Sequence, residues 1–511
     1  MAEQTTMQKG WVIYPIGSRP KMALSFFLGL QHYLTMFGAT VSIPLILSGA
    51  MKMPPQETAL LISTIFLASG IATLLQQYIG NRLPIVQGGS FSFLGPAFAI
   101  IALVGQHGGN WQNMIQTVST AILFGSFFEI ILGYSGLMGQ IKKVIGPITI
   151  APTITMIGLS LFGVGAPFMA GNWTISVITL IALILYSQVF ARKSRVFLLF
   201  PVLLAILTGW ILSLIGTLTG IIPPGNPANL AKGLQLIHNS PWFWIRPIIP
   251  FKWGFPPIDS VVTAGAIGTL AGYIASMVES IGDYHSCARI AEGPVPTARM
   301  ISKGLGAEGV GCLVAGILQT GNGTTSYTEN IGAIGITRVA SRRVIKAGAT
   351  IAIVIPFFAK FGAILATLPQ PVVGAMYVGL FGLIAAVGLS NLQFVNLNNS
   401  RNLFILGLAL FSGLTFPAYF NAHPIHWGAP GTLTGTLGDI AQTILTTGMA
   451  VSAFIAMALD NWLPGATREE RGLAVWEREA TEEAWIEAEK EWAKMKVGEE
   501  RKLEGFEGSQ S

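Results

Sequence analysis

The sequence predicts an all-α polytopic membrane protein of about 14 transmembrane segments, built as two seven-span inverted repeats. Three observations predict it. The 511 residues are 51% hydrophobic and only 11% charged, with mean hydropathy +0.60, whereas a soluble chain carries about 25% charged residues. The apolar stretches approach the ~20 residues that cross a bilayer. Two stretches in matching places of the two halves are interrupted by Gly, Ser and Thr. The 60 Gly and 28 Pro fit this class, since both are commoner in membrane helices than in soluble ones. Two cysteines, Cys287 and Cys312, suggest neither a disulfide framework nor a metal site. The apolar run after the polar N-terminal residues is long enough to be retained as a span, so no cleavable signal is expected.

In chain order, spans are expected near 22–47, 56–76, 85–104, 113–137, 145–168, 173–191, 197–216, 259–282, 301–319, 322–337, 345–368, 370–391, 402–421 and 437–460. The implied parts are a cytosolic N-terminus (1–21), a first repeat (22–216), an outer linker (217–258), a second repeat (259–460) and an acidic cytosolic tail (461–511). Of 30 Lys/Arg and 24 Asp/Glu, the tail holds 8 and 13, which leaves the body 22 and 11. The body's basic residues are dispersed among short loops, which argues for membrane orientation and against nucleic-acid binding. With the N-terminus inside, 17 of the 22 fall on the cytoplasmic side, among them Lys9, Lys142, Lys143 and Arg342. The positive-inside rule then places both termini in the cytoplasm of a plasma-type membrane. Seven spans per half force the second half to be inverted.

The third span of each half is weak as a helix. One reads Gln87-Gly88-Gly89-Ser90-Phe91 and the other Gly321-Asn322-Gly323-Thr324-Thr325-Ser326-Tyr327. Both suit extended chain before turning apolar and helical, so short antiparallel strands are expected in segments 3 and 10. Paired interruptions in corresponding places point to a secondary-transporter binding site. Free backbone groups at that depth survive only inside protein or against a wet cavity, and the half-helices that follow would aim N–H groups into it.

Acidic residues are sparse before 279 (Glu3, Glu57, Glu129 and Asp259), then come Glu279, Asp283, Glu292, Glu308 and Glu329, then none until Asp439. An intramembrane carboxylate is a functional-site hypothesis by default. Glu279 and Asp283 are four apart and share a helix face. Two such charges in low dielectric cannot both ionise cheaply, which makes the pair a candidate for proton coupling. Asp283 could instead cap the span or pair with Arg289. Glu308 could couple or simply bond a neighbouring span. His32 could relay protons or hydrogen-bond between helices. Glu292, beside Arg289, is read as solvated. Glu329 and Asn330 could bind a planar ligand or cap a helix, with Phe91 stacking on the ring and free backbone N–H groups near Ser90 bonding the ring carbonyls.

The stretches Glu279-Ser280-Ile281-Gly282-Asp283-Tyr284, Gly321 to Thr325, Asn330-Ile331-Gly332 and Ile336 to Val344, with Gln31-His32 and Gln87 to Phe91, resemble the nucleobase–ascorbate transporter family over residues 20–460. The resemblance implies core and gate domains, a homodimer and an elevator-like movement. It also implies that Glu279 and the residue at 329 bind the base, that Phe91 stacks on it, and that backbone near Phe91 and Thr328 completes the site. Glu329 matches bacterial uracil permeases, whereas Asp283 departs from them and agrees with purine-carrying and vertebrate-type members. Vertebrate ascorbate carriers have Pro where Glu329 stands. The expected function is import of a nucleobase, uracil first and a xanthine- or guanine-type purine second, by proton symport, with sodium as the other possible coupling ion. An anion transporter of the same architecture, for ascorbate or an inorganic anion, is the alternative. No HExxH, GxSxG or paired-Cys pattern occurs, so neither an enzyme nor a bound cofactor or metal is expected. The expected partners are the nucleobase, membrane lipid and a second copy of the chain. The tail, about 467–497, is expected to be helical, with Trp476, Trp485 and Trp492 as packing or interfacial anchors.

Overall fold

The computed structural model describes residues 12–136, 144–160, 162–256, 258–425, 427–429, 432–473 and 481–494; Lys9, Lys142, Lys143 and Trp476 lie outside them. Among the described residues eight helices are long and apolar enough to cross a membrane, and up to ten if two bent pairs each count as one span.

The first half runs α1 (Met22–Thr35), α2 (Phe37–Met51), α3 (Pro55–Tyr78), β1 (Gln87–Gly89), a 3-10 turn (Phe91–Phe93), α4 (Leu94–Gln106), α5 (Trp111–Tyr134), α6 (Pro147–Leu159), α7 (Phe162–Met169), α8 (Trp173–Ile184), α9 (Arg195–Leu199) and α10 (Pro201–Leu218). The linker holds α11 (Ala231–Asn239). The second half runs α12 (Ser260–Ile290), α13 (Ala298–Ile317), β2 (Thr324–Ser326), α14 (Thr328–Thr337), α15 (Arg342–Val354), α16 (Ala359–Ala366), α17 (Gln370–Ser390), α18 (Ser400–Ala422), α19 (Leu433–Leu445) and α20 (Gly448–Trp462), with α21 (Glu482–Ala493) in the tail. Local chemistry sets many starts. Pro55, Pro147 and Pro201 open their helices where a missing N–H costs nothing. Asp259 caps α12 through Val262 N, and Thr297 caps α13 through Met300 N.

The structure departs from the expected spans in two ways. The eighth does not end near 282: α12 continues to Ile290, and it stops where Glu292 takes a left-handed φ of 57°. Asp283 therefore lies two turns inside the helix and does not cap it. Several other stretches are broken rather than straight. α1 and α2 meet at 47°, and α19 and α20 at 88°. α15 and α16 are separated by a 3-10 turn at Ile355–Phe357, where Pro356 cannot donate to the helix.

The packing separates central from peripheral helices. The most apolar window of α3 is 83% buried within the chain, while those of α10 and α18 are 28% buried. Leu207, Ile211, Phe404 and Phe411 stay exposed on the latter two, which therefore need lipid or another apolar surface against them. Small residues bring helices into backbone contact. A Cβ on Gly29 of α1 would sit 2.5 Å from Gly348 N of α15, and Gly133 of α5 abuts Gly306 of α13 just as tightly.

The linker is folded against the helix ends. Arg246 pairs with Glu57 at 3.0 Å, Trp253 Nε1 donates to Glu57 at 2.7 Å, and Trp253 N donates to Gln319 Oε1 at 2.8 Å. Lys252 donates to the Leu318 carbonyl. Burial, reinforced by Arg246 and opposed by Glu57, pushes the Lys252 ammonium down from 10.5 to about 7. The undocked loop keeps this proton up to 10.5 and the docked loop only up to about 7. Docking therefore weakens as pH falls through that window and levels off below it. Lys252→Met is expected to flatten this dependence, measured as hydrogen exchange of the Trp253 amide after correction for intrinsic rates.

The tail packs onto the helix ends beside the N-terminal segment. Trp485 and Trp492 are buried in a cluster with Val12, Ile16 and Leu305, Trp485 Nε1 donates to Val295 O at 2.8 Å, and Glu489 pairs with Arg342 at 3.1 Å. The two tryptophans are packing anchors. Upstream, Arg471 pairs with Asp460 at 2.9 Å.

Candidate functional site

β1 and β2 pair antiparallel, with Gln87 opposite Ser326, Gly88 opposite Thr325 and Gly89 opposite Thr324. Three-residue strands satisfy few of their own groups, and side chains supply the remainder. Asn322 clamps Ser90 from both sides: its Oδ1 accepts from Ser90 N at 2.7 Å and its Nδ2 donates to Ser90 O at 3.0 Å. Gln87 N donates to Thr73 Oγ1 at 2.9 Å, Gln87 Nε2 to Ser326 Oγ at 2.8 Å, and Tyr327 OH to Gly89 O at 2.6 Å. Gly88 is required by close approach, because a Cβ there would meet the Met36 methyl at 2.6 Å and the Tyr327 ring at 2.8 Å. Each strand then runs directly into a helical turn, at Phe91 and at Thr328. Two helix N-termini, each with free N–H groups, thus leave one buried two-stranded sheet.

α12 supplies the wall beside them. Glu279 is half-buried, and its Oε2 accepts from Ser92 Oγ at 3.4 Å. Glu329 is its principal charged neighbour. Thr328 and Glu329 are exposed at the start of α14, and Thr328 Oγ1 donates to Asp283 Oδ1 at 2.9 Å. A Cβ on Gly282 or on Gly332 would meet nothing within 4 Å, so open space lies next to these carboxylates on both helices. Phe91 is half-buried and meets Phe381 of α17 edge-on, with centroids 5.9 Å apart. Aromatic Phe91, carboxylates Glu279 and Glu329 and the Thr328 hydroxyl are therefore carried by three adjoining segments. The arrangement offers acceptors for ring N–H groups, an apolar face and free backbone donors.

The remaining sequence candidates stand behind this front. Ser90 and Asn330 are fully buried. Asn330 Oδ1 accepts from Val86 N at 2.9 Å, and its Nδ2 lies 3.1 Å from His32 Nδ1. Asn330 and His32 thus tie α14, β1 and α1 together, which is the inter-helix bonding role for His32. Glu308 is buried within a ring of hydroxyls from Ser276, Ser280, Tyr284 and Ser326. Those hydroxyls and Asn322 had not been singled out in the sequence. Ser276, Ser280 and Tyr284 recur at i, i+4 and i+8, so one helix face presents all three, and that spacing was the available signal.

The sequence profile of the Permease family matches residues 24–422. Human solute carrier family 23 member 2 is 40% identical over 516 residues, covering 92% of this chain and 77% of that protein. Rat solute carrier family 23 member 1 is 39% identical over 506 residues, covering 91% and 82%. Arabidopsis thaliana nucleobase-ascorbate transporter 1 is 34% identical over 481 residues, covering 91% of each. Among solved structures, the transmembrane domain of the cyanobacterial bicarbonate transporter BicA aligns with TM-score 0.54 at 14% identity, covering 86% of this chain and 99% of that one. The murine anion transporter Slc26a9, inward-facing, aligns with TM-score 0.55 at 11% identity, covering 85% and 68%. At these identities the two structures speak to the fold alone.

Proposed function

The chain belongs to the nucleobase–ascorbate transporter family, and from that premise we propose that it imports a nucleobase, uracil first and a xanthine- or guanine-type purine second, by proton symport. It is a polytopic integral membrane transporter and not an enzyme. The observation that carries the substrate reading is the pair of carboxylates, Glu279 and Glu329, on neighbouring helices beside open space and Phe91. A neutral planar base with adjacent ring N–H groups matches two acceptors and an apolar face. A resident negative charge on either carboxylate would repel an anion.

In this reading Asp283 and Glu308 are the coupling carboxylates, with the proton favoured over sodium. Fourteen spans form 7+7 inverted repeats in a plasma membrane, with both termini cytoplasmic, and two copies form a homodimer. A core carrying β1, β2 and α12 moves against a gate containing α6, α17 and α20. The boundary favours sliding: an apolar cavity of about 240 Å³ separates α12 from α6 and α20, lined by Ile154, Ile274, Val278, Phe454 and Met457. Ascorbate is the second reading, favoured by the names of the plant relatives, such as Arabidopsis nucleobase-ascorbate transporter 1. Uptake of labelled uracil, xanthine and ascorbate into proteoliposomes, with and without an imposed pH gradient, separates the two. Gradient-driven uptake of a base supports the proposal, and uptake of ascorbate alone rejects it.

A further inference from the structure

We propose that Glu129 and Glu308 together form a buried proton site, separate from the ligand-facing carboxylates; its transport role rests on the proton-symport reading above. Glu129 lies on α5 and Glu308 on α13, and both are fully buried. The seam between these helices is closed by glycine. A Cβ on Gly309, the residue after Glu308, would lie 2.7 Å from Ile130 N, the residue after Glu129. Glu308 is the charged neighbour of Glu129 there, and it also faces Glu279 and Asp283 of α12.

Their surroundings differ sharply. Glu308 accepts from Ser276 Oγ at 3.1 Å, from Ser280 Oγ at 2.8 and 2.7 Å on its two oxygens, from Tyr284 OH at 3.1 Å and from Ser326 Oγ at 3.3 Å. Among the described residues neither Glu129 oxygen has a partner at hydrogen-bond geometry; the Cys312 thiol lies beside it. The other titratable groups facing Glu129 are Cys312 from α13 and Tyr273 and Tyr284 from α12. Their protons are already committed: Cys312 donates to Thr324 O, Tyr273 to Ile122 O and Tyr284 to Glu308. Among the described residues no cation lies within ion-pair distance of either carboxyl. A buried carboxylate without a donor is strongly unfavourable, and two in one seam are more so. The pair is therefore built to hold one negative charge, on hydroxyl-ringed Glu308, and one exchangeable proton, on Glu129.

The site has a route to the ligand face. Ser280 follows Glu279 in the chain, lies 3.1 Å from Thr325 Oγ1, and accepts from Ser326 N at 3.3 Å. β2 ends at Ser326, two residues before Thr328 and three before Glu329. Movement of the proton from Glu129 to Glu308 would redistribute the Ser280 and Ser326 hydrogen bonds to Glu308 and shift the strand that carries the α14 N-terminus.

The test uses the full-length protein in lipid. Infrared difference spectra between alkaline and acidic buffer report protonated carboxyl C=O bands and need no substrate. The wild type is expected to show a titrating band that Glu129→Gln removes and Glu129→Asp retains at a shifted frequency. In proteoliposomes, Glu129→Gln is expected to lose gradient-driven accumulation and to keep substrate counterflow. A spectrum and accumulation identical to wild type in Glu129→Gln overturns the site. If Glu129→Gln does not fold, Glu308→Gln replaces it, and a band that fails to shift in that variant overturns the site equally. The band present without any nucleobase uptake leaves the site standing and rejects the substrate reading; the converse rejects the site alone.

Discussion

Glu279→Ala is expected to abolish nucleobase uptake while leaving the protein folded. Glu279 accepts one long hydrogen bond from the protein, from Ser92 Oγ at 3.4 Å, so the protein itself engages little of its acceptor capacity. The space beside it is open at Gly282. A ring N–H of a bound base would meet that capacity. Truncation removes the acceptor and leaves the ligand's donor buried and unpaired, a loss of about 2–5 kcal/mol, which is roughly 30- to several-thousand-fold in Kd. Titration calorimetry with the transported base, alongside thermal unfolding, measures both parts. Unchanged affinity in a folded variant would remove Glu279 from the site.

The largest expected effect on stability lies elsewhere, at Asp460. Its side chain is fully buried at the end of α20 and accepts from Arg401 Nη1 at 3.1 Å and from Arg471 Nε and Nη2 at 3.0 and 2.9 Å. Arg401 Nε also donates to Leu463 O at 2.8 Å. The side chains of the two arginines are only 8% and 17% exposed. Asp460→Ala would leave two guanidinium groups facing each other with little water, and breaking a buried pair from one side costs about 3–5 kcal/mol. The segment around Glu470 should loosen with it, because Arg471 holds that segment to α20. A lower unfolding midpoint and faster proteolysis after Asp460 are expected. Wild-type values for both would mean the triad contributes nothing net.

The parts of this architecture that rest on composition were legible. Gly88-Gly89 and Gly321 to Gly323 interrupt apolar stretches in matching places; the first lies in β1, and β2 follows the second at Thr324–Ser326. Their register was not legible, because it is fixed by Asn322, Thr73, Tyr327 and Asn330, residues far apart in sequence that complete the backbone's hydrogen bonds. The end of α12 was misplaced because Asp283, Tyr284, His285 and Ser286 read as a polar boundary. In the fold Asp283 meets Thr328 and Tyr284 meets Glu308, so the helix runs on. The 88° break between α19 and α20 carries little warning beyond Thr446-Thr447-Gly448. At the site, the placement of Phe91, Glu279 and Glu329 on three adjoining segments follows from strand pairing that the repeat suggested. Ser90 and Asn330 turned inward for the same reason: short strands need side-chain partners, and these residues serve them. Glu129 passed as an isolated acid because only packing through Gly133, Gly306 and Gly309 brings it to Glu308.

In the proposed function two carboxylates and one aromatic ring read a neutral base. Equilibrium binding of uracil, xanthine and ascorbate to the purified protein and to Glu329→Gln tests it most directly. The predicted result is binding of a nucleobase and not ascorbate by the wild type, weakened by the loss of a charged acceptor in the variant. Ascorbate binding by the wild type that Glu329→Gln leaves unchanged, with no nucleobase bound, would contradict it.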